Sequence, residues 1–460
     1  MKTFFNPQLS FPVIAFVLLM ISSIACANST TEQLADAVDQ PASSQPTAKD
    51  SPDLVSENVT PSKEAAESAL VQLDSLRLIS MGFGQDGQEV GYAFIVENPN
   101  KDLAVESTGY QVAAYDAGGT VITTDSGFIE VLLPIRQTGI GGSLFVDEGI
   151  IINNIEIQLN DGRALKSEVL PPFEIGSVSY APSDYFSFVN GTIFNPYNRD
   201  MSQLRVSSVA YDTNDNIVGG GFTFLNFIVA NDNTGVKVPI VSAQGTARVE
   251  LYPAISGLSF LTSSDELPSD ATPLEITKTG FGQDVGNIGF GMVIDNPNTS
   301  YSVENSQYRI IAYAEDNTVI AADEGYMEII SPNQTVGIGG QLFLNEGLRA
   351  ARVDVQIKNG EFKQSDPLPF FTSENIAFFD EQYFKKVTGI ISNPFAKDIT
   401  NVRVSALAYN EVGEIIGGGF SFVDFIPANG NAAAEVMVTT STTPTTVELY
   451  TSVSGLSNFE

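Results

Sequence analysis

The sequence predicts an all-β protein: four tandem immunoglobulin-like β-sandwich modules, arranged as a duplicated A-B pair after a signal peptide and a disordered tether. Three observations predict it. From Leu73 onward apolar residues recur with period two, as in Val90, Tyr92, Phe94 and Val96 set against Gly91, Ala93 and Ile95, the signature of half-buried strands. A run Gly82-Phe83-Gly84-Gln85-Asp86 returns as Gly280-Phe281-Gly282-Gln283-Asp284, and the same offset of 198 then holds without a gap to the end of the chain. Such a period marks a duplicated structural unit. Finally, about seven short strands fall within each hundred residues, the density of a sandwich rather than of a helical or mixed fold.

Taken in order, residues 1–25 read as a lipoprotein signal peptide. Lys2 is the basic end, residues 11–21 are apolar, and Ser22-Ser23-Ile24-Ala25 is a small-residue approach to a cleavage site. The apolar run is too short for a spanning helix. Cys26, the only cysteine, follows Ala25 directly, so Ser23-Ile24-Ala25-Cys26 resembles a bacterial lipobox and Cys26 is the expected lipidation site. An ordinary secretory signal is the alternative. Residues 26–72 then form a tether rich in Ser, Thr, Pro, Ala, Asp and Glu, which cannot bury enough apolar area to offset the entropy of ordering.

Module A1 is expected over 73–171, with strands at 76–83, 90–96, 110–115, 121–124, 128–133, 139–145 and 155–159. Asp161-Gly162 is expected to close a tight hairpin. Leu170-Pro171-Pro172-Phe173 breaks the pattern, because proline cannot donate to a strand ladder. Module B1 (172–260) follows, with strands at 186–194, 204–211, 216–222, 224–229, 236–240 and 247–252. Residues 261–273 link the pairs. A2 (274–369) and B2 (370–460) repeat the scheme, divided at Leu368-Pro369-Phe370-Phe371.

Composition narrows the chemistry. The chain has 460 residues, no histidine, and a net charge of −33 that arises from scarce Lys and Arg. Ser-His-Asp and Cys-His catalysis, His or Cys metal cages and any intrachain disulfide are excluded. With no basic patch to displace counterions, nucleic acid is excluded as a partner. Carboxylate chemistry, Ser-Lys pairs and all-oxygen metal sites remain.

The motifs read mostly as structure. Asn98-Pro99, Asn195-Pro196, Asn296-Pro297 and Asn393-Pro394 are expected turn positions: the residue before proline is held extended, and proline ends the strand. The glycine runs 139–142 and 219–221 lack the Lys-Ser or Lys-Thr of a phosphate loop and mark bulges or close backbone approach. Asp212-Thr213-Asn214-Asp215-Asn216 has alternating oxygen ligands but lacks the glycine and distal Glu of a calcium loop, so a polar hairpin turn is favoured over calcium between modules. Asp86, Glu106, Glu148 and Glu250 recur as Asp284, Glu304, Glu346 and Glu448. Paired carboxylates could hydrolyse a glycosidic bond, yet Arg205 and Arg403 on neighbouring strands give cross-strand ion pairs as an equal explanation. No catalytic residue, metal site or cofactor is assigned.

These residues also carry a resemblance. A strand ending in Asn-Pro-Asn followed by one ending near Tyr is similar to the water-stress (WHy, late embryogenesis abundant type 2) domain. Gly191 to Asn195, then Val206 to Tyr211-Asp212 with Ile217-Val218-Gly219, resembles the FxLYD domain of bacterial envelope lipoproteins. Both resemblances imply immunoglobulin-like sandwiches without an active site. The expected function is therefore a non-catalytic, exported lipoprotein, held outside a bacterial membrane by its N-terminal lipid, whose modules bind or scaffold an envelope protein or glycan. A stress-protective or structural role without a discrete ligand is the alternative, a carboxylate-dependent hydrolase is a third reading, and simple secretion is the alternative address.

Overall fold

The computed structural model describes residues 73–167, 170–183, 186–261, 267–345, 347–381 and 384–459. The signal stretch, Cys26, the tether and Glu346 lie outside them. Among the described residues every regular element is a strand. The first seven are β1 (Arg77–Asp86), β2 (Glu89–Glu97), β3 (Leu103–Tyr115), β4 (Val121–Leu132), β5 (Gln137–Phe145), β6 (Asn154–Leu159) and β7 (Arg163–Lys166). They form two antiparallel sheets, ordered β1-β2-β5 and β4-β3-β6, with β7 also on β3. Val90, Tyr92, Phe94 and Val96 of β2 meet Val112, Ile140 and Ile155 in one buried core shared by both sheets, each such side chain contributing roughly 1.5–3 kcal/mol.

The next seven repeat that order. They are β8 (Glu174–Ala181), β9 (Ser187–Phe194), β10 (Met201–Tyr211), β11 (Ile217–Ile228), β12 (Asn233–Ser242), β13 (Arg248–Ala254) and β14 (Phe260–Leu261). Here β8-β9-β12 and β11-β10-β13 join into one sheet, because the end of β12 also pairs with β11. The second copy supplies β15 (Glu275–Asp284), β16 (Asn287–Asp295), β17 (Tyr301–Tyr313), β18 (Val319–Ile330), β19 (Thr335–Phe343), β20 (Arg352–Lys358) and β21 (Glu361–Gln364). It continues with β22 (Thr372–Asp380), β23 (Lys385–Ser392), β24 (Ile399–Tyr409), β25 (Ile415–Ile426), β26 (Asn431–Thr440), β27 (Thr446–Ser452) and β28 (Asn458–Phe459). Its sheets reproduce those of the first copy strand for strand.

Several expected elements differ. The stretches 121–124 and 128–133 are one continuous strand, β4, and 216–222 and 224–229 merge into β11, since the intervening polar residues sit in a paired ladder and not in turns. Asp161-Gly162 closes no hairpin. Strands β6 and β7 lie in succession along the same edge of β3, and residues 160–162 bulge between them, with the Asn160 Oδ1 accepting from the Gly109 N–H at 2.7 Å. Strand β8 was not expected, because as a largely exposed edge strand it lacks apolar alternation.

Both faces of β2 are buried. Ala93 and Ile95, on the face away from the first core, pack with Val209, Tyr211 and Ile217 of the next set. The sheets meet at backbone distance: a Cβ on Gly141 would collide with the Gly221 carbonyl, and one on Gly220 with the Tyr92 carbonyl. The second copy repeats the arrangement at Gly339 and Gly419, and at Gly418 and Phe290. Glycine in these strands is thus a spacing device.

A different seam joins the two copies. Ile311 of β17 fills the space above Gly235 of β12. Arg309, 1% exposed, donates to Thr234 Oγ1 at 3.2 Å and lies over the Phe227 ring. Gln356 of β20 donates to the Asn233 carbonyl at 2.7 Å and to Asp232 at 3.0 Å, and Lys358 donates to Ser202 Oγ at 2.8 Å.

Candidate functional site

The four Asn-Pro positions act through the asparagine amide. Asn98 is fully buried; its Nδ2 donates to the carbonyls of Leu103, Leu132 and Leu133 at 2.9, 2.8 and 3.1 Å. Asn296 does the same to Tyr301, Ile330 and Ser331. Asn195 reaches Arg199 and Ile228, and Asn393 reaches Lys397, Ile426 and Pro427. Pro99, Pro196, Pro297 and Pro394 follow just past the strand ends. The residue two beyond each asparagine grips the chain entering its sheets. Asn100 exchanges two hydrogen bonds with the Asp74 backbone, and Asn298 exchanges two with Thr272. Tyr197 and Phe395 instead pack edge-to-face on Phe173 and Phe371, at 5.5 and 5.6 Å.

The recurring carboxylates are not brought together. Glu106 pairs with Arg163 at 3.1 Å, Glu304 with Lys363, and Asp284 with Lys385 at 3.2 Å. Glu250 takes Arg248 and the Tyr252 hydroxyl, and Glu448 takes the Tyr450 hydroxyl. Asp86 and Glu148 are exposed. The expected Arg205–Glu250 and Arg403–Glu448 pairs are absent. Arg205 donates to the Gly141 carbonyl at 2.7 Å and stacks on Phe222, and Arg403 does so to Gly339 and Phe420. The register explains this, since Arg205 faces Ala254 while Glu250 lies four residues along. Asp212 caps a hairpin turn: its Oδ1 accepts from the N–H groups of Asn214 and Asn216 at 2.7 and 2.9 Å. Asn410 does likewise in the second copy. Among the described residues no group of three or more potential ligands gathers to hold a metal.

What the structure does assemble, twice, is a cleft where two sets of strands meet. The first, about 290 Å³, lies between the turn after β4 and strands β8 and β13. Leu133, Pro171, Phe173, Ile175 and Leu251 make its walls largely apolar, and Arg136 and Tyr197 are among the polar groups, with Gln137 and Thr138. The Tyr197 hydroxyl donates to the Pro171 carbonyl at 2.9 Å, and Arg136 makes only a long contact to the Leu170 carbonyl. Burial pushes the Tyr197 phenol up, and the neighbouring Arg136 charge opposes the shift. The second cleft, about 320 Å³, uses counterpart positions with a changed lining: Gln334 for Arg136, Ser373 for Ile175, Phe370 for Pro172, and Glu448 at its edge. There burial, and then the hydrogen bond to Glu448, push the Tyr450 phenol up to about 12.

Sequence reasoning missed Arg136, Tyr197 and Arg309. The available signal was asymmetry between copies, since Arg136, Tyr197 and Arg309 have Gln334, Phe395 and Gln111 at their 198-residue counterparts. Fold and site define a class: a duplicated all-strand protein with a recurring cleft between paired sheets. No protein-family model matches the chain, and no curated protein sequence matches it.

Proposed function

We propose that the chain is a non-catalytic binding or scaffolding protein of four immunoglobulin-like modules, A1 (73–171), B1 (172–260), A2 (274–369) and B2 (370–460). In this reading it is exported and held outside a bacterial membrane by lipid on Cys26. The observation that carries the binding role is the pair of clefts: the framework is retained between copies, whereas the lining has changed. A concavity whose lining differs over a retained framework is what selection for two different ligands leaves on a duplicated scaffold. The first cleft fits an apolar group ending in a hydrogen-bond acceptor or anion, and the second a polar, hydrogen-bonding group.

The test uses the full-length protein as bait against envelope extract. Saturable retention of one partner, lost on Ile175→Arg or on Ser373→Arg but not on Asp147→Asn, supports the reading. Retention indifferent to both cleft substitutions, or none at all, favours the protective or structural role. For the anchor, Cys26→Ser releases the protein from the membrane fraction; a wild-type protein already free of membrane sinks that part of the proposal. Turnover of glycan or peptide substrates would reopen the hydrolase reading.

A further inference from the structure

The seam between the copies buries one face of each: the outer face of β17-β18-β20 and the outer face of β9 and β12. Each face has a counterpart at the other end of the duplicated array, and there nothing among the described residues covers it. Val319 is fully buried beneath the seam, whereas its counterpart Val121 is 50% exposed. Phe227 is fully buried, whereas its counterpart Phe425 is 48% exposed. These two open faces are what a seam of the same kind would join. We propose that they form an interaction surface for a second copy of this chain, with β23 and β26 of one molecule docking on β3, β4 and β6 of the next.

The chemistry carries over where it matters. Gln158 stands for Gln356, whose amide reads a backbone carbonyl, and that carbonyl is present at Asn431 as it is at Asn233. The Ile311-over-Gly235 contact becomes Ala113 against Ala433, which keeps an apolar pair at the contact but with less side-chain volume to fill it. Glu435 replaces Lys237 and would meet Asp125, the counterpart of Asp323; Lys386, 3.2 Å from Glu435 and 3.1 Å from Glu381, offsets only part of this acidic charge. Gln111 and Ala432 replace Arg309 and Thr234, so the contact brings no unpaired guanidinium under cover. It is weaker than the internal seam and reversible. Because the two faces differ, the contact is head-to-tail and need not close on itself.

Full-length protein carrying Cys26→Ser, so that no lipid contributes, is followed by analytical ultracentrifugation. The expected result is a concentration-dependent ladder that strengthens with salt, since salt screens the repulsion between chains of charge −33. Ala113→Asp or Ala433→Lys alone, with an unchanged melting temperature, reduces association at least tenfold, and the double variant restores it. A single species at every concentration and salt, or a ladder untouched by either substitution, overturns the proposal.

Discussion

The Arg309 guanidinium sits 4.8 Å from the centre of the Phe227 ring, joining strands that belong to different copies of the repeat. Its Nη2 also lies 3.1 Å from Glu324 Oε2, a Coulombic contact in which neither atom has a hydrogen-bond partner. Arg309→Ala would strand the Glu324 carboxylate at a largely covered seam, a loss of about 3–5 kcal/mol. Gln111→Ala, at the exposed counterpart, should change stability by no more than about 0.5 kcal/mol. Paired urea titrations of the two variants check the contrast; equal effects would refute the role given to the seam.

Asn98→Ala removes one amide and takes its donor from three carbonyls, those of Leu103, Leu132 and Leu133. At about 1–3 kcal/mol for a stranded buried group, the loss should exceed 2 kcal/mol, whereas Pro99→Ala should cost less than about 1 kcal/mol. A thermal melt that ranks proline above asparagine would return the motif to a simple strand stop.

Gly220→Val drives a branched side chain into the Tyr92 backbone. Overpacking of this sort costs about 1–3 kcal/mol, and the strain falls on the seam and not on either core. Hydrogen exchange should therefore rise along β2 and β11 while the Val112 amide keeps its protection.

Burial holds the Asp323 carboxyl above its ordinary value of 3.8, with the Lys237 ammonium pulling the other way. The folded chain thus keeps this proton to higher pH than the unfolded chain does. Its contribution to stability is complete below the ordinary carboxylate range and is lost as pH rises through the folded value. Asp323→Asn should flatten the fall in melting temperature over that window. An unchanged slope would assign the fall to other carboxylates.

How much of this was legible in advance depends on the kind of signal. Alternation in β2 announced one core correctly, but it implies a half-buried strand, whereas Ala93 and Ile95 on the other face are buried as well. Strand β8 was hidden because an exposed edge strand leaves no periodic trace. The bulge at Asp161-Gly162 looked like a hairpin because the same dipeptide serves both geometries, and only the partner strand decides between them. Arg136 and Tyr197 stand 61 residues apart and share a cleft through the way two strand sets dock, which no local pattern encodes. The ion pairs of Glu106 and Glu304 were equally silent, since their partners Arg163 and Lys363 lie on β7 and β21, four-residue, largely exposed strands that leave no periodic trace.

The glycine-lined seam has a practical consequence. Every coding change at Gly141, Gly220 or Gly221 adds atoms where there is no room, so this part of the molecule can scarcely drift. The cleft walls beside it have no such restraint. Anyone wishing to graft new recognition onto this scaffold should therefore randomise the positions around Ile175 and Ser373 and leave the spacing between the paired layers as it is.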